Sequence, residues 1–205
     1  MVLGELRDLP PPALALVALF ALERFVELAI SRARLAAAAA RGRQLPHRTA
    51  GGPLHWTAMV ALHAVLLVLP PVEALALGTR APGWLLVASI AAALGAQALR
   101  YWCIASLGPA WNARASVDPA CPIVARGPYR WIRHPNYLAV LVEFAALPAA
   151  FGAWRTGLLL NLLHAPLIAH RIRAEERLLG EVEGYASAMG AKGRFFPRAK
   201  ARGSP

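Results

Sequence analysis

Long apolar runs separated by short polar segments organise this chain. Three of them have roughly the 20 residues that a helix needs to cross about 30 Å of hydrocarbon: Pro11–Ile30, Leu54–Val72 and Gly83–Ile104. A fourth run, Tyr137–His170, is interrupted at Phe151–Arg155. A single kinked helix would be about 51 Å long and would overrun the bilayer, so we predict a tight helical hairpin. The pattern therefore predicts an all-α integral membrane protein with about five transmembrane helices.

The composition agrees with this pattern. Hydrophobic residues make up 58% of the 205 residues, charged residues make up 16%, and the mean hydropathy is +0.46. These values exclude an ordinary soluble domain and a disordered chain. The two cysteines, Cys103 and Cys121, form no CxxC pair and show no spacing with histidine that is typical of a zinc site. We therefore expect neither a disulfide scaffold nor a bound metal.

The distribution of cations indicates an orientation. The net charge is +11, and seventeen Lys and Arg residues follow the first run, follow the third run or lie from Arg171 onward. The opposite side would hold three: Arg7, Arg80 and Arg155. Because cytoplasmic loops carry the excess of Lys and Arg, we predict the N-terminus outside and the C-terminus in the cytoplasm. We expect membrane lipids as partners and no nucleic acid.

The segment from Ala105 to Pro135 is too long and too rich in Gly, Pro, Trp and Arg to be a simple tether. Gly127–Pro128 predicts a turn, and Pro135 disfavours helical geometry at His134. The next helix is therefore expected to begin at Asn136 or Tyr137. A helix start presents free N–H groups and the positive end of the dipole, which suits an anionic group of a ligand. The alternative is a basic juxtamembrane loop that binds lipid phosphates.

Glu143 is the most informative charged residue within an apolar run. It lies seven positions after Asn136, on the same helix face, with no cation within one turn on that helix. A carboxylate at membrane depth should face the protein interior or a wet cavity, so it indicates a functional site; a structural bond between helices is the alternative. Glu23, Arg24 and Glu27, near the end of the first run, are expected to form an interfacial cluster.

Charges of both signs follow the last apolar run. Arg171 and Glu175 are four residues apart, and Arg173 and Glu176 are three apart, so they share a helix face. A solvated, salt-bridged face is one interpretation. A functional site is the other, because these charges should lie at the level of the loop Arg114–His134. Four histidines without recognisable spacing are expected to be structural or interfacial: His47, His55, His63 and His164.

In their order along the chain, several elements resemble the isoprenylcysteine carboxyl methyltransferase family of integral-membrane enzymes. They are Arg126–Tyr137, Glu143, Arg171–Glu176, Glu183–Tyr185 and Phe195–Pro197. The resemblance covers the chain from about Arg100 onward. The apolar runs place three transmembrane helices in residues 1–104, and the resemblance implies a methyltransferase core in residues 105–205. It also implies S-adenosylmethionine as the cofactor, in a cytoplasmic pocket formed by the loop before the fourth helix and by the C-terminal tail, and a lipophilic acceptor.

The resemblance assigns roles to individual residues. Those that would bind the cofactor are Tyr129, Arg133, His134, Pro135, Asn136, Tyr137, Glu143, Tyr185 and Phe196. Arg171 and Glu176 would stand at the methyl-transfer site as catalytic residues. Trp111, Asn112 and Arg173 would bind the substrate. Two departures from the family pattern, Leu138–Ala139 and Glu181–Val182, bear on the acceptor more than on the cofactor.

The acceptor and the reaction have alternatives. The pair Trp111–Asn112 looks like the bacterial branch that O-methylates phenolic lipids and alkylpyrones. A carboxylate acceptor would be oriented by Arg171, whereas a phenol or enol would gain from Glu176 as a base. Some NADPH-dependent membrane sterol reductases carry a similar Arg-His-Pro-Asn-Tyr stretch. A non-catalytic protein that holds anionic lipid with its basic loops is the remaining alternative.

Overall fold

The described residues of the computed structural model, 9–42, 50–118 and 121–198, form an all-helical fold. Within them, the α-helices are α1 (Pro11–Ala40), α2 (Gly52–Leu77), α3 (Gly83–Leu107), α4 (Pro135–Phe151), α5 (Trp154–Gly180) and the short α6 (Tyr185–Met189). Two 3₁₀ helices, Gly108–Ala110 and Gly127–Arg130, lie between α3 and α4. Six residues used in the sequence-based predictions lie outside the described ranges: Arg7, Arg43, His47, Arg48, Lys200 and Arg202.

Each predicted apolar run lies in a helix, and the helical hairpin is confirmed. Gly152 ends α4 in the left-handed conformation, with φ +69°, and α5 begins two residues later. A Cβ atom at Gly152 would lie 2.7 Å from the carbonyl carbon of Arg80, so this turn packs tightly against the turn between α2 and α3. α4 begins at Pro135, one residue before the predicted start, because the fixed φ of proline suits the first helical position.

α4 is the central helix of the fold. It packs against α1, α2, α3 and α5, and its residues Phe144, Leu147 and Phe151 are fully buried. The ring of His164 in α5 stacks on Phe144 with the centroids 3.8 Å apart. One hydrophobic core contains side chains from both sides of the predicted boundary at residue 104. The helices before and after that boundary therefore share a core.

The outer surface of the helices carries large apolar side chains. Exposed examples are Phe25 on α1, Val68 on α2 and Leu162 on α5. Exposed tryptophans mark the two ends of α3: Trp84 and Trp102, about 27 Å apart at 1.5 Å per residue. Aromatic residues at such a separation are typical of the two interfaces of a bilayer.

Two helices are long and apolar enough to cross a membrane, by length and composition. They are Gly52–Leu77 and Gly83–Ala110, the second being α3 together with the following 3₁₀ helix. α4 is apolar but has 17 residues, and α1 carries Glu23, Arg24 and Glu27 within its apolar run. α2 and α3 could therefore each span a membrane, as the sequence predicts for these two runs. Five spans and their orientation stay predictions.

The predicted cluster of Glu23, Arg24 and Glu27 packs inside the protein, and its place at the membrane interface stays a prediction. Glu23 and Glu27 are buried. Arg100 of α3 pairs with both carboxylate oxygens of Glu27, with Nη2 2.8 Å from Oε2. Arg24 bridges Glu27, at 3.1 Å, and Glu143 of α4, at 3.2 Å. We call Arg24, Glu27, Arg100 and Glu143 the buried ion network. Apolar surroundings cannot solvate these charges, so they pair with one another.

Glu73 of α2 caps the start of α5. Its Oε2 accepts a hydrogen bond from the backbone N–H of Thr156 at 2.6 Å, and its Oε1 accepts one from Arg155 at 3.3 Å. The N-cap residue of α5, Ala153, has no side chain that can do this. The first N–H groups of a helix lack partners within the helix and favour a negative charge. Glu73 therefore anchors the hairpin to α2.

We predict that Glu73→Ala destabilises the folded protein by about 1–3 kcal/mol, because it leaves buried N–H groups without an acceptor. Glu73→Gln keeps one acceptor oxygen and should cost less. Thermal unfolding of the purified protein in detergent, followed by circular dichroism, measures the effect. Glu183→Ala, at an exposed carboxylate outside the helices, is the control. Equal unfolding temperatures for Glu73→Ala and the control would contradict the capping role.

Candidate functional site

A cavity of about 420 Å³ lies where α1, α2, α4 and α5 meet the connection between α3 and α4. Part of its wall comes from that connection, from the start of α4, from α5 beyond Ile168 and from the segment Val182–Met189. The part that α1 and α2 contribute includes many apolar side chains, such as Phe25, Val60 and Leu67. The volume is in the range of sites for small molecules.

The connection before α4 is held by its contacts with α3 and with the tail. Gly127 adopts φ +57°, and a Cβ atom there would lie 2.1 Å from the hydroxyl oxygen of Ser106 in α3. The backbone N–H groups of Arg133 and His134 donate to the carbonyls of Gly193, at 2.9 Å, and Arg194, at 3.0 Å. The loop and the tail are therefore brought together at the cavity, as the sequence predicts for the cofactor pocket.

The start of α4 faces the cavity with unsatisfied polar groups. His134, the N-cap residue, has non-helical backbone angles and makes no capping hydrogen bond with its side chain. The first N–H groups of α4 thus have no partner within the helix. Four buried side-chain atoms of cavity residues have no hydrogen-bond partner among the described residues: Nη1 of Arg100, the hydroxyl oxygen of Tyr185, Nε of Arg133 and Oδ1 of Asn136. The last two belong to residues at the start of α4. This cluster of donors and an acceptor suits a polar, partly anionic ligand.

Glu176 is the centre of a second set of ion pairs, which joins α5, the loop and the tail. Its carboxylate lies 3.1 Å from Arg133, 2.9 Å from His134, and 2.5 Å from Nη2 of Arg194. Burial alone would raise the pKa of Glu176, but the hydrogen bonds from Arg194 and His134 and the charges of His134 and Arg133 hold it at about 2. A carboxylate with that pKa is a very weak base at neutral pH. Glu176 thus joins Arg133, His134 and Arg194 by ion pairs, and its role as a base stays a prediction.

Arg171, Tyr137 and Glu175 form a chain of hydrogen bonds on the cavity wall. Nε of Arg171 donates to the hydroxyl oxygen of Tyr137 at 3.0 Å, and Nη2 donates to the carbonyl of Ala113 at 2.6 Å. The Tyr137 hydroxyl in turn donates to Glu175. Arg171 and Glu175 thus interact through Tyr137. Of the two acidic residues near the end of α5, Glu175 lines the cavity. The sequence analysis predicted Glu176, and not Glu175, as a site residue.

The structure brings nine of the predicted site residues to the cavity. They are Trp111, Asn112, Tyr129, Arg133, His134, Asn136, Tyr137, Arg171 and Tyr185. The side chain of Asn112 also shapes the loop, since its Oδ1 and Nδ2 bond the backbone of Ser116 at 2.9 and 2.8 Å.

Five predicted site residues are not among the described residues that line the cavity: Pro135, Glu143, Arg173, Glu176 and Phe196. Glu143 is 1% exposed and bonds Arg24 and Gln97, so it can act on a ligand only through them. Arg173 is exposed on α5, and Phe196 is 76% exposed. These two side chains therefore do not line the cavity, and their contacts with ligands stay predictions; Phe195, next to Phe196, packs against the core.

Other residues on the cavity wall were not predicted as site residues from the sequence. Arg24, Glu27 and Arg100 of the buried ion network line it, and so does His63 of α2, which was expected to be structural or interfacial. The signal that could have found the first three is a charge inside an apolar run, which calls for a partner or a cavity. No such signal marks His63.

Fold and site together define an all-helical protein with two helices that could span a membrane, in which one cavity joins a polar, cation-rich end to apolar helices. The family model of the isoprenylcysteine carboxyl methyltransferase (ICMT) family matches residues 85–181. The uncharacterized protein YpbQ of Bacillus subtilis (strain 168) is 32% identical over 167 residues, which cover 81% of this chain and 95% of that protein. The chain belongs to the isoprenylcysteine carboxyl methyltransferase family, an integral-membrane family that uses S-adenosylmethionine.

The ion pairs of Glu176 predict a dependence of stability on pH. A carboxyl whose pKa is lower in the folded protein than in the unfolded chain stabilises the fold above its unfolded pKa. For Glu176 this stabilisation is complete above about pH 5 and is lost as the pH falls from 4.5 toward 2. Arg194→Ala removes one of the groups that lower this pKa, so the loss should still begin near pH 4.5 but should be smaller and should end at a higher pH.

Unfolding temperature as a function of pH, followed by tryptophan fluorescence in detergent, tests this expectation. Arg198→Ala removes an exposed arginine of the same tail and serves as the control. Identical pH profiles for the Arg194 variant and the wild-type protein would show that Arg194 does not set the ionisation of Glu176.

Proposed function

We propose that this protein transfers a methyl group from S-adenosylmethionine to an oxygen of a lipophilic acceptor at the membrane. The acceptor is either a prenylcysteine-like carboxylate or a phenolic or pyrone lipid. The observation that carries the proposal is the continuous cavity. Its wall passes from the polar start of α4 to the apolar side chains of α1 and α2, so that one end suits a polar cofactor and the other a lipid-like molecule.

The residues at the polar end fit S-adenosylmethionine. The N–H groups at the start of α4 and Nε of Arg133 would bind its carboxylate, and Oδ1 of Asn136 would accept from an amino or hydroxyl group. Tyr129, Tyr137 and Glu175 would favour its cationic centre through aromatic faces and a carboxylate. When bound, the cofactor supplies a methyl group on a sulfonium, from which the methyl passes to oxygen. No metal is needed for this transfer.

Arg171 is the residue that we assign to the acceptor oxygen. It lines the cavity, and Tyr137 and the carbonyl of Ala113 fix its guanidinium. A guanidinium held in this way orients a carboxylate or an ionised hydroxyl without losing much side-chain freedom at the moment of reaction. Glu176 acts indirectly, because its ion pairs hold Arg133 and His134 in place. Alignment of the reactants supplies much of the rate in such a transfer.

The chain is placed in the membrane with five spans, the N-terminus outside, and the loop, the end of α5 and the tail in the cytoplasm. The seventeen-to-three distribution of Lys and Arg supports this orientation. Exposed Trp154 and Arg155 at the start of α5, with the guanidinium 5.1 Å from the ring centroid, suit the opposite interface. Membrane lipids are then the surrounding partners, and the cofactor enters from the cytoplasm.

We predict that S-adenosylhomocysteine binds the purified protein in detergent and that NADPH does not. Asn136→Ala should weaken this binding about 2- to 10-fold, and His134→Ala about 10-fold or more, because each disturbs the polar end of the cavity. Isothermal titration calorimetry measures the affinity of the wild-type protein and of each variant for both ligands. Arg173→Ala, on the exposed face of α5, should leave the affinity unchanged. Binding of NADPH alone would favour the reductase, and binding of neither would favour a protein that only holds anionic lipid.

The proposed membrane topology can be tested by locating three positions of the chain relative to the membrane. Reporter fusions after Ala50 and Gly203 should be active in the cytoplasm, and a fusion after Thr79 should lie outside. Cysteine labelling from the outside of intact cells should modify a cysteine placed at Thr79 and spare one placed at Ala50. A cytoplasmic position for Thr79 would overturn both the orientation and the number of spans.

A further inference from the structure

The connection between α3 and α4 has an exposed side that the proposed transfer does not use. Two large aromatic side chains lie there: Trp102, near the end of α3, is 47% exposed, and Trp131 is 44% exposed. Their rings pack edge-on with the centroids 5.7 Å apart. Two exposed arginines accompany them, and we call the four residues the outer patch: Trp102, Arg126, Arg130 and Trp131.

Contacts with the tryptophans and with α3 fix the two arginines in the outer patch. The guanidinium carbon of Arg130 lies 4.6 Å from the centroid of the Trp131 ring, which is within the range of a cation–π interaction. Nε of Arg126 donates to the carbonyl of Ser106 at 3.3 Å, and Ser106 follows Trp102 by about one helical turn. The patch is therefore part of the packed surface where the loop rests on α3.

The outer patch carries two positive charges. Within the described part of the chain, neither Arg126 nor Arg130 forms an ion pair. The sequence between Ala105 and Asn136 contains one acidic residue, Asp118, and its side chain lines the cavity. Guanidinium groups bind phosphate through paired N–H donors. The patch therefore favours an anionic partner, and a phosphate group suits it.

The place of the outer patch along α3 indicates that this partner is a lipid. α3 is apolar and long enough to cross a membrane, and exposed tryptophans mark its two ends, Trp84 and Trp102. Tryptophan side chains concentrate at the level of the lipid headgroups. Because Trp131 packs on Trp102, it lies at that level too. In the proposed topology this end of α3 meets the cytoplasmic leaflet, whose anionic lipids attract arginine near the surface.

The 3₁₀ helix Gly127–Arg130 connects the outer patch to the cavity. Tyr129 is 7% exposed and lines the cavity, whereas Arg130, the next residue, is exposed. Ile132, which follows shortly, pairs with Gly193 of the tail. A partner that fixes the outer side of this segment therefore also fixes the side that faces the cofactor. The cofactor then has less of the loop to order when it binds.

We propose that the outer patch binds an anionic phospholipid of the cytoplasmic leaflet and that this contact strengthens cofactor binding. Arg126 and Arg130 pair with the phosphate, and the rings of Trp102 and Trp131 lie beside the glycerol and the upper acyl chains. The site for the lipid stands on the geometry of the patch, whereas the coupling to the cofactor rests on the proposed function. The lipid acts from outside the cavity and takes no part in the transfer.

Fluorescence quenching tests the contact with the lipid. The full chain is placed in nanodiscs of mixed phosphatidylcholine and phosphatidylglycerol, in which one of the two lipids carries bromine near the headgroup. The difference between the wild-type protein and Trp131→Phe isolates the fluorescence of Trp131. We expect brominated phosphatidylglycerol to quench Trp131 more than brominated phosphatidylcholine does at the same content. The excess should disappear at high salt and in the double variant Arg126→Gln, Arg130→Gln, because both remove the attraction between charges.

The affinity for S-adenosylhomocysteine tests the coupling. Calorimetry compares nanodiscs of phosphatidylcholine alone with nanodiscs that also contain phosphatidylglycerol. We expect phosphatidylglycerol to tighten binding to the wild-type protein by about fivefold or more. The double variant Arg126→Gln, Arg130→Gln should lose this gain and keep the wild-type affinity in phosphatidylcholine. The matched control, Arg177→Gln with Arg198→Gln, removes two exposed arginines outside the patch and should keep the gain.

Several results would overturn the proposal. Equal quenching by the two brominated lipids, or an excess that the double variant keeps, would remove the lipid site. A double variant that binds S-adenosylhomocysteine more weakly by the same factor in both kinds of nanodisc would show a purely structural role for the arginines. A gain of the same size from inorganic phosphate in phosphatidylcholine nanodiscs would show that the patch takes a soluble anion instead of a lipid.

The two measurements also separate this proposal from the function on which the coupling rests. Equal affinities of the wild-type protein for S-adenosylhomocysteine in the two kinds of nanodisc would overturn the coupling and leave the proposed transfer intact. No binding of S-adenosylhomocysteine in either would overturn the proposed function together with the coupling. The quenching of Trp131 decides the lipid contact in every case, because it needs no cofactor.

Discussion

A buried charge among apolar helices has no water to solvate it, and this constraint organises the fold from α1 to α4. Glu27 is neutralised by Arg100 of α3, and Arg24 links Glu27 to Glu143 of α4. Removing one partner would leave an uncompensated charge, which costs far more than the pair contributes. The buried ion network therefore fixes how α1, α3 and α4 rotate relative to one another. The same rotation places Arg24, Glu27 and Arg100 on the cavity wall.

A second network acts at the other end of the cavity, where α5 leaves the apolar region. Glu176 binds Arg133 and His134 of the loop and Arg194 of the tail, three groups from segments far apart in sequence. Because its pKa is about 2, this carboxylate stays ionised at all physiological pH values and its ion pairs persist. The polar start of α4 is thus held in one arrangement before any ligand enters, which lowers the entropic cost of ordering a site on binding.

The helices and half of the site could be predicted because they depend on local pattern. Apolar run length gave the helices and the hairpin, and the spacing around His134 and Pro135 gave the start of α4. Other features depend on distances that a pattern does not encode. Glu27 and Arg100 are 73 residues apart, and Glu73 caps a helix that begins about 80 residues later. Successive side chains of a helix point about 100° apart, so Glu175 and Glu176 cannot both face the cavity. The spacing of the charges along the sequence does not show which of the two does.

The cavity is lined partly by residues within the segment that the family model matches and partly by residues outside it. Residues 85–181 contain most of α3, the loop, α4 and α5 up to Gly180, and so they include Arg133, His134, Asn136 and Arg171. α1 and α2 lie outside the matched segment, yet they supply His63, Glu27 and apolar side chains such as Phe25, Val60 and Leu67. The polar and apolar ends of the cavity are built by different helices, and the buried ion network joins them at Arg100, which belongs to the matched segment and reaches across to Glu27 of α1.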